Sequence, residues 1–178
     1  MLKKLLIGAL AILALVSAMV LVLAVFIFTS FTPDRTPTFS VPLDMQGPIS
    51  TTRLEVQVTE PDRYAVTLRY PYTGGVERDK AWALAGGDTL KDGVWNERGS
   101  SLVFQVRIQE IPSGVEVLDL HVIHPKLNSW ESNYLNAELI RTTLETGLYQ
   151  VSVQREGSLA DTPPAALEIQ FSKAHRAK

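Results

Sequence analysis

Leu102-Val103-Phe104-Gln105-Val106-Arg107-Ile108-Gln109 places a large apolar residue at every second position. Successive side chains of a strand point to opposite faces, so this pattern is a strand buried on one face. The same period recurs on both sides of it. Upstream, Leu54, Val56 and Val58 alternate with Glu55, Gln57 and Thr59, and Glu60-Pro61-Asp62 turns the chain into Tyr64, Val66, Leu68 and Tyr70. Downstream, Ile111-Pro112-Ser113-Gly114 turns it into Leu118, Leu120 and Val122. A weaker strand runs from Ala137 to Leu144, Thr146-Gly147 leads into Tyr149, Val151 and Val153, and the last strand carries Leu167, Ile169 and Phe171. Seven short strands separated by turn residues predict an all-β fold, an antiparallel immunoglobulin-like β-sandwich over residues 52–172.

Two local patterns refine this. Leu144-Glu145-Thr146-Gly147-Leu148-Tyr149-Gln150-Val151 resembles the tyrosine corner of such sandwiches, in which a Tyr at the start of the sixth strand bonds back to the backbone. Gly147 and Tyr149 are therefore expected to be structural; an ordinary core tyrosine at a hairpin is the alternative. Val76 to Ala85 is rich in helix formers and is stopped by Gly86-Gly87, which predicts one short helix inserted between strands two and three.

If consecutive strands are antiparallel, their connections alternate between the two ends of the sandwich. Connections one, three and five (Glu60–Asp62, Ile111–Gly114, Glu145–Gly147) are tight. Connections two, four and six (Pro71–Ser100, His124–Asn136, Arg155–Pro164) are long. All the long loops then meet at one end, as binding loops do in variable-type sandwiches. That end holds all three tryptophans, Trp82, Trp95 and Trp130. Trp95, with Glu97 and Arg98 beside it, is the leading candidate for an exposed partner contact. Trp82 and Trp130 are candidates too, against the alternative that Trp82 packs its helix onto the sheet and Trp130 plugs the sandwich end.

The other long-range signal is Leu5–Phe28, 24 residues without a charge. As a helix it is ~36 Å long, against a hydrocarbon core of ~30 Å. Lys3 and Lys4 precede it, which by the positive-inside rule puts residues 1–4 in the cytoplasm and the domain on the far side. The run is too long for a cleaved signal peptide, and Val25-Phe26-Ile27-Phe28 is bulky where cleavage needs small residues. A single-pass signal anchor in the bacterial inner membrane with a periplasmic C-terminal domain is expected. Residues 29–51 read as a linker broken by Pro33, Pro37, Pro42 and Pro48, and 173–178 as a basic, solvated tail.

Beyond the two N-terminal lysines the chain holds 15 basic and 19 acidic residues, which argues against nucleic acid as a partner. With no cysteine there is no disulfide, no thiolate metal site and no lipid-modified N-terminus. His121 and His124, three apart on a strand, point to opposite faces, and Asp119 with His121 lacks a third ligand. Asp88 and Asp92-Gly93 lack the acidic positions of a calcium loop, and no nucleophile elbow or phosphate cradle is present. No enzyme, no metal and no cofactor are therefore expected.

Pro42-Leu43-Asp44, the strand Tyr64–Tyr70, the helix around Asp79–Leu84, Asn128-Ser129-Trp130 and Gly147-x-Tyr149-x-Val151-x-Val153 together resemble a family of bacterial envelope domains of unassigned function. Its members carry a signal or anchor and one β-sandwich, and are linked to type VI secretion toxin–immunity loci. The resemblance implies no catalytic residues and an immunity-type role. The expected function is an inner-membrane-anchored periplasmic protein-binding domain, an immunity protein that neutralises a periplasm-acting secreted toxin. The alternatives are a small-ligand or glycan-binding module using the tryptophans, and a structural subunit of a membrane complex.

Overall fold

The computed structural model describes residues 17, 19–20, 38–45, 47–87, 89–91, 94–96, 98–157, 163 and 165–174. The chain divides into two units, Met1–Arg35 and Thr36–Lys178. In the first, Ser17, Met19 and Val20 are helical and exposed. The rest of Leu5–Phe28, and with it the expected anchor, lies outside the described residues. Among those described, no helix is long and apolar enough to cross a membrane.

The second unit is all-β with one helix. In chain order it comprises β1 (Phe39–Pro42), β2 (Ile49–Val58), β3 (Asp62–Pro71), α1 (Gly75–Leu84), β4 (Thr89–Lys91), β5 (Val94–Asn96), β6 (Val103–Ile111), β7 (Glu116–Ile123), β8 (Ser129–Trp130), β9 (Tyr134–Leu144), β10 (Gly147–Glu156) and β11 (Glu168–Lys173). One sheet has the order β1-β11-β3-β9-β8 and the other β2-β10-β6-β7, while β4 and β5 form a separate hairpin. All pairings are antiparallel. The apolar alternation faces inward as expected: Leu54, Val56, Val58, Val66, Leu68, Phe104, Val106, Ile108, Val151, Val153, Ile169 and Phe171 are buried. Each fully buried side chain of this size contributes ~1.5–3 kcal/mol, which is what holds a sandwich without disulfides together.

The central pairs, β3 with β9 and β6 with β10, are those of an immunoglobulin-type sandwich. The outer strands differ. There the first strand pairs with the second and the last with the sixth; here β2 pairs with β10 and β11 with β3. The reason lies in the connections. Glu60-Pro61 is an arch that carries the chain from one sheet to the other, and so is Glu145-Thr146, with the opposite sense. The two arches lie side by side, since Val58 pairs with Gly147 and Asp62 with Leu144. Each is closed by a tyrosine four residues on: the Tyr64 hydroxyl donates to the Glu60 carbonyl at 2.7 Å, and the Tyr149 hydroxyl to the Glu145 carbonyl at 3.0 Å. Glu-x-x-x-Tyr-x-Val thus occurs twice, once at each of these two arches. Gly147 leaves room for the second ring, as a Cβ there would sit 3.3 Å from the Tyr149 ring.

Three expectations change in detail. Phe39–Pro42, within the stretch read as linker, is an edge strand on β11, and Leu43 is buried. β2 begins at Ile49, before the expected boundary. Because β1 is antiparallel to β11, the chain runs along the sandwich edge toward the long-loop end before crossing into β2. Lys173, assigned to the tail, is the last residue of β11 and pairs with Glu60 at 2.6 Å and Asp62 at 2.8 Å. The weak alternation of Ala137–Leu144 is a bulge: the register with β3 shifts between Val66 and Thr67, so Leu139 and Ile140 are both buried.

Candidate interaction site at the long-loop end

The antiparallel order places connections two, four and six at one end, and bonds between distant segments tie them together. The Tyr72 N–H donates to the Asn133 carbonyl (2.9 Å) and its hydroxyl to the Glu131 carbonyl (2.9 Å). The Gly99 N–H donates to Gly86 (3.1 Å) and the Ser100 N–H to Pro125 (2.9 Å). His124 Nδ1 donates to the Ser100 carbonyl at 2.8 Å. The backbones touch: a Cβ on Gly86 would lie 1.8 Å from the Gly99 carbonyl oxygen, and one on Gly99 2.2 Å from that of His124. Both glycines also have positive φ, +63° and +75°, so only glycine satisfies the conformation and the approach at once.

Two arginines complete the bracing. Arg155 continues the inward face of β10 after Val151 and Val153, and it is 1% exposed. Its guanidinium donates to the carbonyls of Gly47 (2.6 Å), Asp44 (3.3 Å) and Gly157, which fastens the β1–β2 crossing to the end of β10. Arg69 lies on the outer face of β3. It pairs with Glu131 (3.1 Å) and Glu168 (3.5 Å), with Tyr134 stacked on it at 3.4 Å. Planar, delocalised guanidinium suits both roles, packing flat while serving several acceptors. The Tyr70 hydroxyl sits beside Ser100 without a hydrogen bond of good geometry, and burial raises it to about 12.

The helix begins after Thr73, whose N–H and hydroxyl both donate to the Glu77 carboxylate (2.7 and 2.5 Å), holding that carboxyl below its ordinary range. Ala81 in the helix and Ala85 at its C-cap are buried. Trp82 is half-buried against the core, its ring on Gly87 and Arg78 stacked 5.6 Å above. Trp130, on β8, is 71% exposed, and Val76 in the first helical turn 73%. Trp95 is in β5 opposite Leu90, but its side chain lies outside the described residues, as does Glu97; Arg98 is exposed. The structure thus brings Trp82, Trp130 and Arg98 to one end and turns Trp82 inward. Sequence reasoning passed over Arg155, Arg69 and Tyr72. Arg155 was legible as the next inward position after Tyr149, Val151 and Val153; the other two carry no local signal.

Beside β8 the outer face of the first sheet forms a polar groove of about 260 Å³, lined by Thr67, Asn128, Ser129, Asn136, Glu138 and Arg141 among others. Arg141 is held by Glu138, which accounts for its raised affinity for the proton. The outer face of the second sheet carries a smaller polar depression of about 200 Å³ formed by Arg53, Gln105, Arg107, Gln109, Gln150 and Gln154 with two small neighbours. On the adjoining β7, Asp119 is bonded to Arg107 and Gln105, both at 2.9 Å, and its carboxyl is held low by them. Among the described residues no group of three metal-ligating side chains occurs.

These elements define a two-sheet antiparallel β-sandwich with a braced loop end. The chain belongs to the family described as Domain of unknown function (DUF5625), matched over residues 40–173. No curated protein matches it. It is similar to the crystal structure of a protein from Sulfurospirillum deleyianum, at 15% identity and a TM-score of 0.63, covering 79% of this chain and 99% of that one. That likeness is one of fold. Structures of infectious bursal disease virus, of the Gt strain and of the VP2 subviral particle, align at 10% identity with TM-scores of 0.28 and 0.29. They cover 79% and 76% of this chain and 30% and 29% of theirs, and carry no argument.

Proposed function

We propose that this chain is an inner-membrane-anchored envelope domain that binds a protein partner through its long-loop end. The observation that carries the proposal is the pairing of rigidity with display. Trp130 and Val76 are bare apolar side chains on segments that Tyr72 ties together through Glu131 and Asn133. An anchor presented on a braced scaffold binds without first losing conformational freedom. The membrane anchor rests on Leu5–Phe28 and its flanking lysines. A periplasm-acting toxin as the partner, and hence an immunity role, rests on the resemblance to envelope domains. A glycan platform is less well supported, because Trp82 is turned into the fold instead of standing beside Trp130.

The test is a deletion strain challenged by toxin-delivering sister cells and complemented with the wild-type gene or with Trp130→Ala/Val76→Asp. Sensitisation rescued by the wild type and not by the variant supports both site and role. No sensitisation removes the immunity role, and rescue by the variant removes the site.

A further inference from the structure

We propose that the free edge of β7 pairs with β7 of a second copy, in an antiparallel register centred on Leu120. Among the described residues β7 is hydrogen-bonded on one side only, to β6, and ends its sheet. Natural edge strands are guarded by lysine, proline or short length. Among these eight residues, Glu116-Val117-Leu118-Asp119-Leu120-His121-Val122-Ile123, there is no lysine and no proline. Leu120 pairs with buried Val106 and so lies on the inward face, yet it is 48% exposed. The opposing sheet ends at this side in β8, only two residues long, which leaves the inward face of β7 overhanging. Val117 and Ile123 are exposed as well.

The occupant follows from the order of side chains. Antiparallel strands related by a two-fold axis pair residue i with a residue j of the same parity, so each allowed register has one residue facing itself. Centred on Leu120, the pairs are Leu118 with Val122, Asp119 with His121 and Val117 with Ile123. Every apolar residue meets an apolar one, and each carboxylate meets an imidazole. Centred on Asp119, two carboxylates oppose each other and Val117 meets His121. Centred on His121, two imidazoles meet and Asp119 faces Ile123. Apolar cross-strand pairs and a carboxylate that accepts from an imidazole N–H stabilise a sheet, and like charges directly opposite destabilise it, so one register is selected. The shift in the β6–β7 register between Ile108 and Gln109 falls beyond Leu118, leaving Leu118–Val122 regular. The product is one continuous eight-stranded sheet across two copies.

The chain has no cysteine, so single cysteines report the register directly. In the full chain, kept in detergent micelles and mildly oxidised, Leu120→Cys is expected to cross-link as a dimer. Asp119→Cys and His121→Cys place their Cα atoms ~8 Å from their symmetry mates, beyond disulfide reach, so cross-linking there should be at least ~10-fold slower. Leu120→Lys, at a half-exposed position, should convert the dimer to monomer in sedimentation while the circular-dichroism spectrum of the folded sandwich is retained. Fastest cross-linking at Asp119 or His121, equal rates at all three positions, no cross-linking at any of them, or a dimer that survives Leu120→Lys each overturn the proposal.

Discussion

The two ends of this sandwich are built in opposite ways. At the tight-turn end, each crossing between sheets is closed by a tyrosine that bonds to the carbonyl four residues before it. At the long-loop end, closure spans large separations: Arg155 reaches back to Gly47 and Asp44, Tyr72 forward to Glu131, and Arg69 to Glu131 and Glu168. Local closure fixes one turn at a time. Distant closure fixes several loops against one another, so exposed residues such as Trp130 stand on a rigid base. Surface pairs such as Lys173 with Glu60 and Asp62 also span the chain at the tight end, but pairs of that kind are worth little.

Substitutions at matched positions put this contrast to the test. The largest effect is expected for Arg155→Met, which strands buried carbonyls at the long-loop end and should lower stability by about 3 kcal/mol or more in urea unfolding. Arg155→Lys should rescue little, because one ammonium does not serve acceptors spread around a fork. If Arg155→Met costs under about 1 kcal/mol, the long-loop end is not held as described.

Glycines compare the ends next. Gly99 and Gly114 share a positive φ, but a Cβ on Gly99 meets the His124 carbonyl while one on Gly114 meets nothing within 4 Å. Gly114→Ala should therefore cost only the conformational penalty, about 1 kcal/mol, and Gly99→Ala about 2–3 kcal/mol or more. Equal costs would mean that the close approach relaxes freely.

The two ends of β3 carry tyrosines that differ in partners. Among the described residues the Tyr70 hydroxyl has no hydrogen bond of good geometry, and burial raises it from 10.0 to about 12. Below pH 10 folded and unfolded chains both hold that proton. Above it the unfolded chain loses the proton first, so rising pH favours unfolding until about pH 12, by about 1.4 kcal/mol per unit. Tyr70→Phe should be nearly neutral at pH 7 and should flatten the loss of stability between pH 10 and 12 by about 1.4 kcal/mol at pH 11. A variant whose alkaline unfolding matches the wild type would show that Tyr70 is not the group responsible. The smallest effects are those of Tyr64→Phe and Tyr149→Phe, each about 1 kcal/mol at pH 7 in urea unfolding. The comparison between the two arches fails if one of these variants is neutral and the other is not.

What was legible in the sequence follows the same division. The seven core strands, the short helix with its glycine stop and the turn before Tyr149 all rest on contacts within a few residues, and period two or a Glu-x-x-x-Tyr spacing records them. Glu60–Tyr64 has the same spacing and marks the same kind of crossing, so the second arch was there to be read. β1 was hidden because a four-residue strand at an edge, ending in proline, resembles linker. β8 was hidden because two residues make no period. The bulge at Leu139 erased the alternation that would have shown β9 at full strength. Within the candidate site, the exposure of Trp130 and the inward turn of Trp82 depend on what packs over each, which no local pattern encodes.

The sequence by itself determined that the second unit is a two-faced β structure, where its tight turns fall, and that its long connections share one end, because side-chain alternation and turn chemistry are properties of neighbouring residues. Only the tertiary structure decided which strands pair, that β2 and β11 exchange the places an immunoglobulin arrangement gives them, and that Arg155 and Arg69 brace the loop end. Those outcomes depend on which carbonyl, carboxylate or ring arrives from a distant segment, and a guanidinium is buried only once such partners surround it.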